Sequence, residues 1–307
     1  MNNNRPLAAH VSMFLACVCW GLMSPIGKDA MANGIDSIDM VSLRVIGGAV
    51  LFWITSLFTP KEHVPVRDRL LFIGAGLFGL VCNQCAFIIG LGITSPVNAS
   101  IVTTSMPIFA MVLAALILKE PITGKKAGGV LVGCCGAVML IVSSATADNA
   151  KVGDLRGDLL CCGAQLSFAL YLSLFNRMTK KYSPITVSKW MFLWAAVIVL
   201  PFTSGHLAAT DWGAVPVSTW METAFVVVVA TYIAYLLMMV GQHTLRPTVV
   251  SIYNYMQPVV AVTVSVLTGM GVLGWSQGLA AILVFAGVWL VTKSKSKKDM
   301  EAEKAAQ

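Results

Sequence analysis

Ten long apolar segments, with almost no charge inside them, constrain this chain more than any other feature. They run approximately 8–32, 37–59, 69–93, 96–118, 124–143, 157–179, 184–203, 218–243, 247–269 and 274–292. A helix needs about 20 apolar residues to cross a bilayer, and each segment can supply one. None shows the apolar–polar alternation of a barrel strand. Charged residues make up only 11% of the 307 positions, against roughly 25% in soluble domains. A water-soluble globule is thereby excluded, as is a disordered chain, which needs low hydrophobicity and high charge. The expected fold class is an all-α integral membrane protein of ten transmembrane helices.

Positive charge gives the expected orientation. With the N-terminus in the cytoplasm, the cytoplasmic flanks hold Arg5; Lys61, Arg67 and Arg69; Lys119, Lys125 and Lys126; Arg177, Lys180 and Lys181; Arg246; and Lys293, Lys295, Lys297, Lys298 and Lys304. The outer side holds only Lys28, Lys151 and Arg156, while Arg44 and Lys189 fall within spans. Cytoplasmic loops of membrane proteins carry such an excess, so both termini are expected inside. The net charge of +7 is explained by these loops, and no nucleic-acid partner is expected. The first segment, with Arg5 before it and Ala30-Met31-Ala32 near its end, has some marks of a signal peptide. Trp20, Pro25, Lys28 and Asp29 interrupt it, so it is read as a retained span. Short loops suggest the inner (plasma) membrane of a bacterium.

The polar connector 144–156 divides the chain into 8–143 and 157–292, five spans each, followed by a basic cytoplasmic tail, 293–307. Residues 67–141 align without a gap on 218–292, an offset of 151. Identical pairs include Gly90/Gly241, Pro96/Pro247, Ser100/Ser251, Ile101/Ile252, Pro107/Pro258 and Gly136/Gly287. Both halves place two prolines eleven residues apart in one span. Because five crossings is an odd number, the second half must lie upside down relative to the first. Inverted repeats are characteristic of secondary transporters, whose halves exchange conformations to open a site to either side.

Several local patterns follow the same order as a known family. They are Trp20-Gly21 in span 1, Arg44 in span 2, Pro107 in span 4, Lys119-Glu120-Pro121 with Gly129, and the glycine-rich span 5 ending at Gly136; Pro258 and Gly287 repeat the theme. Over residues 8–292 the sequence resembles the EamA family of the drug/metabolite transporter superfamily. The resemblance implies two inverted five-helix repeats around a central cavity and transport of small metabolites such as amino acids, often outward. One departure stands out: Gly271 occupies the second-half position matching Glu120, where the family often keeps an acid.

Candidate site residues come from polar and aromatic groups within the spans. A proline lacks an N–H and displaces the carbonyl four residues earlier. For Pro107 and Pro258 these carbonyls belong to Thr103 and Asn254, and both prolines are candidate gating positions. The freed backbone must line a wet cavity or be satisfied locally, for example by the Thr103 or Ser105 hydroxyl. In span 9, Tyr253 and Gln257 share a face with Asn254 beside them. Trp20, Asn83, Gln84, Asn98, Gln165, Tyr171, Tyr232 and Tyr235 complete the expected substrate-binding set, each with helix packing as its alternative. Arg44 is the deepest ionisable residue, and such groups inside a bilayer are functional candidates. It either pairs with Asp29 or Asp39 as an outer gate or attracts a substrate carboxylate. The stripe Gly129-x3-Gly133-x3-Ala137 lets helices approach closely, within one chain or in a homodimer.

No G-x-x-x-x-G-K-[ST] is present for ATP hydrolysis, and the four histidines lie on separate segments. The eight cysteines all sit in apolar runs, where thiols serve as packing residues. No metal, cofactor or catalytic residue is expected. The leading expectation is a secondary transporter for an amino acid, amine or drug-like solute, as monomer or homodimer. A membrane-embedded enzyme acting on a lipid is the alternative, and a non-transporting scaffold a third.

Overall fold

The computed structural model describes residues 5–94, 99, 102–145, 155–267 and 275–294. Every regular element among them is helical. Helix α1 is Arg5–Ala32 and α2 is Ser37–Leu57. The next rod joins α3 (Val66–Gly76), a π-helical stretch (Leu77–Val81) and α4 (Cys82–Ile93). Helix α5 is Met106–Ile117, α6 Gly124–Ala145, α7 Leu155–Leu174, α8 Asn176–Lys181 and α9 Pro184–Ala209. A second composite rod follows: α10 (Val217–Ala224), a π-helical stretch (Phe225–Ile233) and α11 (Ala234–Thr244). A third joins α12 (Pro247–Ile252), a 3₁₀ turn (Tyr253–Tyr255) and α13 (Met256–Leu267). Helix α14 is Trp275–Thr292.

Six rods are long and apolar enough to cross a membrane: Pro6–Ala32, Ser37–Leu57, Val66–Ile93, Leu155–Leu174, Pro184–Ala209 and Val217–Thr244. Their outer faces keep large apolar side chains exposed, among them Leu57, Leu71 and Phe202. Such a surface is stable against lipid tails and would be costly in water. The chain is an all-helical, multi-pass membrane protein. The connector residues 146–154, the tail from residue 295, and the expected site residue Asn98 lie outside the described residues, as does Gly271.

Local chemistry sets the helix ends. Asp36 caps α2, its Oδ1 accepting from the amides of Ile38 (2.7 Å) and Asp39 (3.0 Å). The turn before it needs Gly34, at φ +111°, a backbone state that glycine adopts without penalty. Ser183 caps α9 with Pro184 at its start. Lys119 stops α5 in the left-handed region, φ 54°, and Pro121 bars residue 120 from continuing the helix. This is the physical content of the Lys119-Glu120-Pro121 motif.

The large interfaces all join an element before residue 146 to one after residue 154. Helix α1 packs on α11 and α13, and α7 packs on α4 and α5. Helix α2 packs on α9 and the second π-helical stretch, while α9 also packs on α3 and the first. Helix α5 meets α12, and α6 meets α14. Close approach is carried by glycine. A Cβ at Gly90 would lie 2.8 Å from the Gly157 carbonyl and from the Cys161 Sγ, and one at Gly241 would meet Met13. Gly129 and Gly133 of the small-residue stripe face Gly287 and Tyr255, so at these two positions the stripe packs within the chain.

The two ends of the bundle are latched by polar contacts. Arg246 donates to the Ser294 carbonyl (2.8 Å), placing this loop and the end of α14 together with the start of α1. At that end Asp68 accepts from Lys181 and Tyr182, and Glu62 accepts from the Ser183 amide (3.0 Å) and hydroxyl (2.9 Å). At the opposite end His206 Nε2 lies 2.7 Å from Asp36 Oδ2. The Thr210 hydroxyl donates to Asp39 (2.8 Å). Lys28 donates to the carbonyls of Leu91 (2.8 Å) and Gly92 (3.0 Å), a cation placed on a helix C-terminus.

The Glu62 latch has a defined pH dependence. Burial pushes its carboxyl up, but the Thr186 hydroxyl, the Ser183 amide and hydroxyl, and the Lys189 charge together hold it below the ordinary value of 4.5. A carboxylate with a lowered folded pKa stabilises above its unfolded value and loses that contribution as pH falls through the folded one. Wild type is therefore expected to unfold at higher temperature than Glu62→Gln at pH 7, with the gap closing below about pH 4.5. Thermal unfolding in detergent across that range checks it; a gap that persists at lower pH would contradict it.

Candidate functional site

A cavity of about 60 Å³, counted as space open to the centre of a water-sized sphere, lies inside the bundle. It is lined by Trp20 and Met23 of α1, Arg44 of α2, Asn83, Gln84 and Phe87 of α4, and Thr103. Gln165 and Phe168 of α7, Tyr235 of α11, Asn254 and Gln257 complete the wall. One water needs roughly 10–15 Å³ by this measure, so several fit. Among the described residues the lining is amide-rich and aromatic, with one guanidinium and no carboxylate.

Backbone irregularity builds the wall. The two π-helical stretches, Leu77–Val81 and Phe225–Ile233, overlap when the sequence is shifted by 151 residues. A π-helical turn frees carbonyls from the regular ladder, and in a membrane those carbonyls need partners. Ser167 donates to the Phe78 carbonyl (2.8 Å), Trp20 Nε1 to Ala230 (3.0 Å), and Thr231 to Val226 (2.8 Å). These bonds fix Trp20 at the cavity and turn Thr231 toward Arg44, whose Nε donates to Thr231 Oγ1 (2.9 Å).

The two proline-bearing rods also break at matching places. A turn covers Thr104–Ser105 ahead of Pro107, and the 3₁₀ turn Tyr253–Tyr255 precedes Pro258. Thr103 and Asn254, each four residues before its proline, both line the cavity. The Asn254 Oδ1 accepts from Gln257 Nε2 (3.3 Å) and Cys17 Sγ (3.8 Å). Ser105 Oγ donates to the Val102 carbonyl (2.7 Å), a local satisfaction of that break.

Residues related by the sequence repeat meet here. Gln84 Nε2 donates to the Tyr235 hydroxyl at 3.0 Å, and the two are 151 positions apart. Trp20 stands edge-on to Phe168 (centroids 6.4 Å). Those two are 148 positions apart, the separation that also relates Ala9 and Met13 beside Gly241 to Gly157 and Cys161 beside Gly90.

Of the residues expected from sequence, Trp20, Asn83, Gln84, Thr103, Gln165, Tyr235, Asn254, Gln257 and Arg44 come together around this one cavity. Three tyrosines stand elsewhere. Tyr171 packs on Gly79 and its hydroxyl donates to Gln242 (3.0 Å). Tyr232 bonds Thr55 of α2 (2.6 Å), and Tyr253 bonds His10 of α1 (2.7 Å). Each aromatic ring found a packing partner on a neighbouring helix, which sequence spacing does not specify. Met23, Phe87 and Phe168 were not expected in the wall; as apolar residues in apolar helices they carry no signal of their own. Arg44 pairs with neither Asp29 nor Asp39. Asp39 is held by Thr210, and among the described residues no carboxylate lies within ion-pair distance of Arg44.

Arg44, an amide-rich wall and paired helix breaks inside a membrane bundle define a polytopic membrane protein with an internal cavity bearing polar groups. The model of the EamA-like transporter family matches this chain twice, over residues 7–142 and 155–293. The chain belongs to that family. Its relatives include the uncharacterized transporter YyaM of Bacillus subtilis, 26% identical over 87% of this chain and 84% of the relative. The uncharacterized transporter YetK of the same organism is 21% identical over 96% and 90%. A solved crystal structure at 17% identity superposes with a TM-score of 0.73 over 95% of this chain and 97% of that one, and so shares the fold. Family and relatives point to transport rather than catalysis.

Proposed function

We propose that this chain is a secondary transporter that exports a small organic metabolite by alternating access. In this reading, residues 8–143 and 157–292 are two inverted five-helix repeats, making ten transmembrane helices around the central cavity. Both termini face the cytoplasm across the inner (plasma) membrane. The cavity binds an amino acid, amine or similar solute through Trp20, Asn83, Gln84, Thr103, Gln165, Tyr235, Asn254 and Gln257, with the breaks at Pro107 and Pro258 as gating points. The observation that carries the reading is the Gln84–Tyr235 hydrogen bond within the cavity, between residues 151 positions apart. Repeat-equivalent side chains touch only close to the axis relating two halves, so the cavity would lie on the axis about which they rock. The double family match and the reciprocal contacts of α1 and α7 support the same layout.

Exchange in proteoliposomes tests it. Vesicles preloaded with a mixed pool of amino acids, amines and organic acids should take up a labelled member of the transported class by counterflow. Asn254→Ala and Gln257→Ala should each slow that exchange by about tenfold, the value of one hydrogen bond to a polar solute, while inserting normally. Wild-type kinetics in both variants would remove these residues from the site.

A further inference from the structure

We propose that Arg44 is the counter-ion for a single carboxylate on the transported solute, and that amines and neutral amides of the same skeleton are not substrates. This rests on the transporter reading and narrows it to a substrate class.

Arg44 is 3% exposed. A guanidinium keeps its charge in any protein environment, and a charge taken out of water is costly unless paired. Its Nε is satisfied by Thr231. Arg44 lines the cavity, and its two terminal nitrogens make no hydrogen bond or ion pair among the described residues. Among the described residues no acid forms an ion pair with Arg44: Asp39 Oδ2 accepts from Thr210, and Asp36 Oδ2 lies beside His206. Helix α2 thus delivers a fork of donors suited to planar bidentate recognition of a carboxylate. Arg44, the one cationic residue of the wall among the described residues, compensates one negative charge, so a phosphate ester or dicarboxylate would be left with excess charge.

Gln84, in the lining of the same cavity, supplies the complementary acceptor. Gln84 is 2% exposed, its Nε2 is committed to Tyr235, and its Oε1 has no partner among the described residues. A buried acceptor without a donor is costly. A solute with a carboxylate and a nearby N–H or O–H would satisfy both groups, with the aromatic face of Trp20 or Phe168 against its apolar part.

The test reads binding separately from transport. Purified wild type in detergent is heated with millimolar leucine, phenylacetate or lactate, with the matching primary amide of each, and with succinate. At least one monocarboxylate should raise the unfolding temperature while its amide does not, and succinate should have a smaller effect. Arg44→Met should weaken that acid's apparent affinity by about 10- to 100-fold without lowering the unfolding temperature of the ligand-free protein, since an unpaired charge is removed. Arg44→Lys, which keeps the charge without the fork, should retain part of the affinity and provides the comparison if Arg44→Met does not fold. No stabilisation by any acid, equal stabilisation by the amides, or an acid effect that survives loss of the guanidinium would overturn the assignment. Counterflow of amines or neutral solutes without acid binding would overturn it and leave the transporter reading intact. Acid binding without any exchange would do the reverse.

Discussion

Glu120→Met is expected to destabilise the protein by about 3–5 kcal/mol, and adding Lys126→Met is expected to restore most of that loss. Lys126 is 1% exposed, and its Nζ lies 2.7 Å from Glu120 Oε2, with the Pro121 carbonyl at 3.3 Å. Glu120 also accepts from Thr248 at the start of α12 (3.3 Å). Removing the acid leaves a buried ammonium with one carbonyl for company, and that uncompensated charge is the source of the cost. Lys126→Met alone should cost less, because Glu120 is 12% exposed and keeps Thr248. Two apolar side chains of similar length avoid the desolvation penalty on both sides, so the double variant should approach wild type. Denaturant titration of the four proteins in detergent gives the coupling energy directly. Losses that simply add would show that the two charges do not compensate each other. The acid of the Lys119-Glu120-Pro121 motif is thus held by Lys126, in the first turn of α6.

Gly157→Val should cost about 3 kcal/mol or prevent accumulation of folded protein. A Cβ at Gly157 would stand 2.8 Å from the Gly90 carbonyl, the Thr94 amide nitrogen and the Thr94 Cβ. Two of the three obstacles are backbone atoms, so no rotamer change relieves them and α4 and α7 must separate. Gly163, six residues along the same helix, faces nothing within 4 Å. Gly163→Ala should be neutral or stabilising by up to about 1 kcal/mol through lower chain entropy. Gly241→Ala is intermediate, because its obstacle is the flexible Met13 side chain. Melting temperatures of the three variants rank them. A Gly157 variant as stable as Gly163→Ala would mean that the α4–α7 interface is not close-packed.

Much of the cavity was legible because polar residues are conspicuous in an apolar chain. Asn83, Gln84, Gln165, Asn254 and Gln257 stand out by type alone, and a buried amide in a membrane must face a partner or water. Tyr171, Tyr232 and Tyr253 stand out equally, yet each bonds a neighbouring helix. Residue type does not distinguish a hydroxyl that seals an interface from one that lines a cavity. The π-helical stretches left no trace either: Leu77–Val81 is apolar throughout, and Phe225–Ile233 carries only Thr231 and the Tyr232 hydroxyl as polar groups.

The sequence alone determined that the chain is a multi-pass helical membrane protein, because so little charge leaves lipid as the only tolerable surroundings. It also determined the offset of 151 that matches its two proline-bearing rods. Which helices pair was decided only in three dimensions. Lipid is as apolar as leucine, so hydrophobicity does not select one helix face over another; steric fit at Gly90, Gly157, Gly241 and Gly287 does. The same tertiary fit introduced the separation of 148 that sets Trp20 against Phe168. It placed the Arg44 guanidinium beside Thr231, in the lining of the cavity.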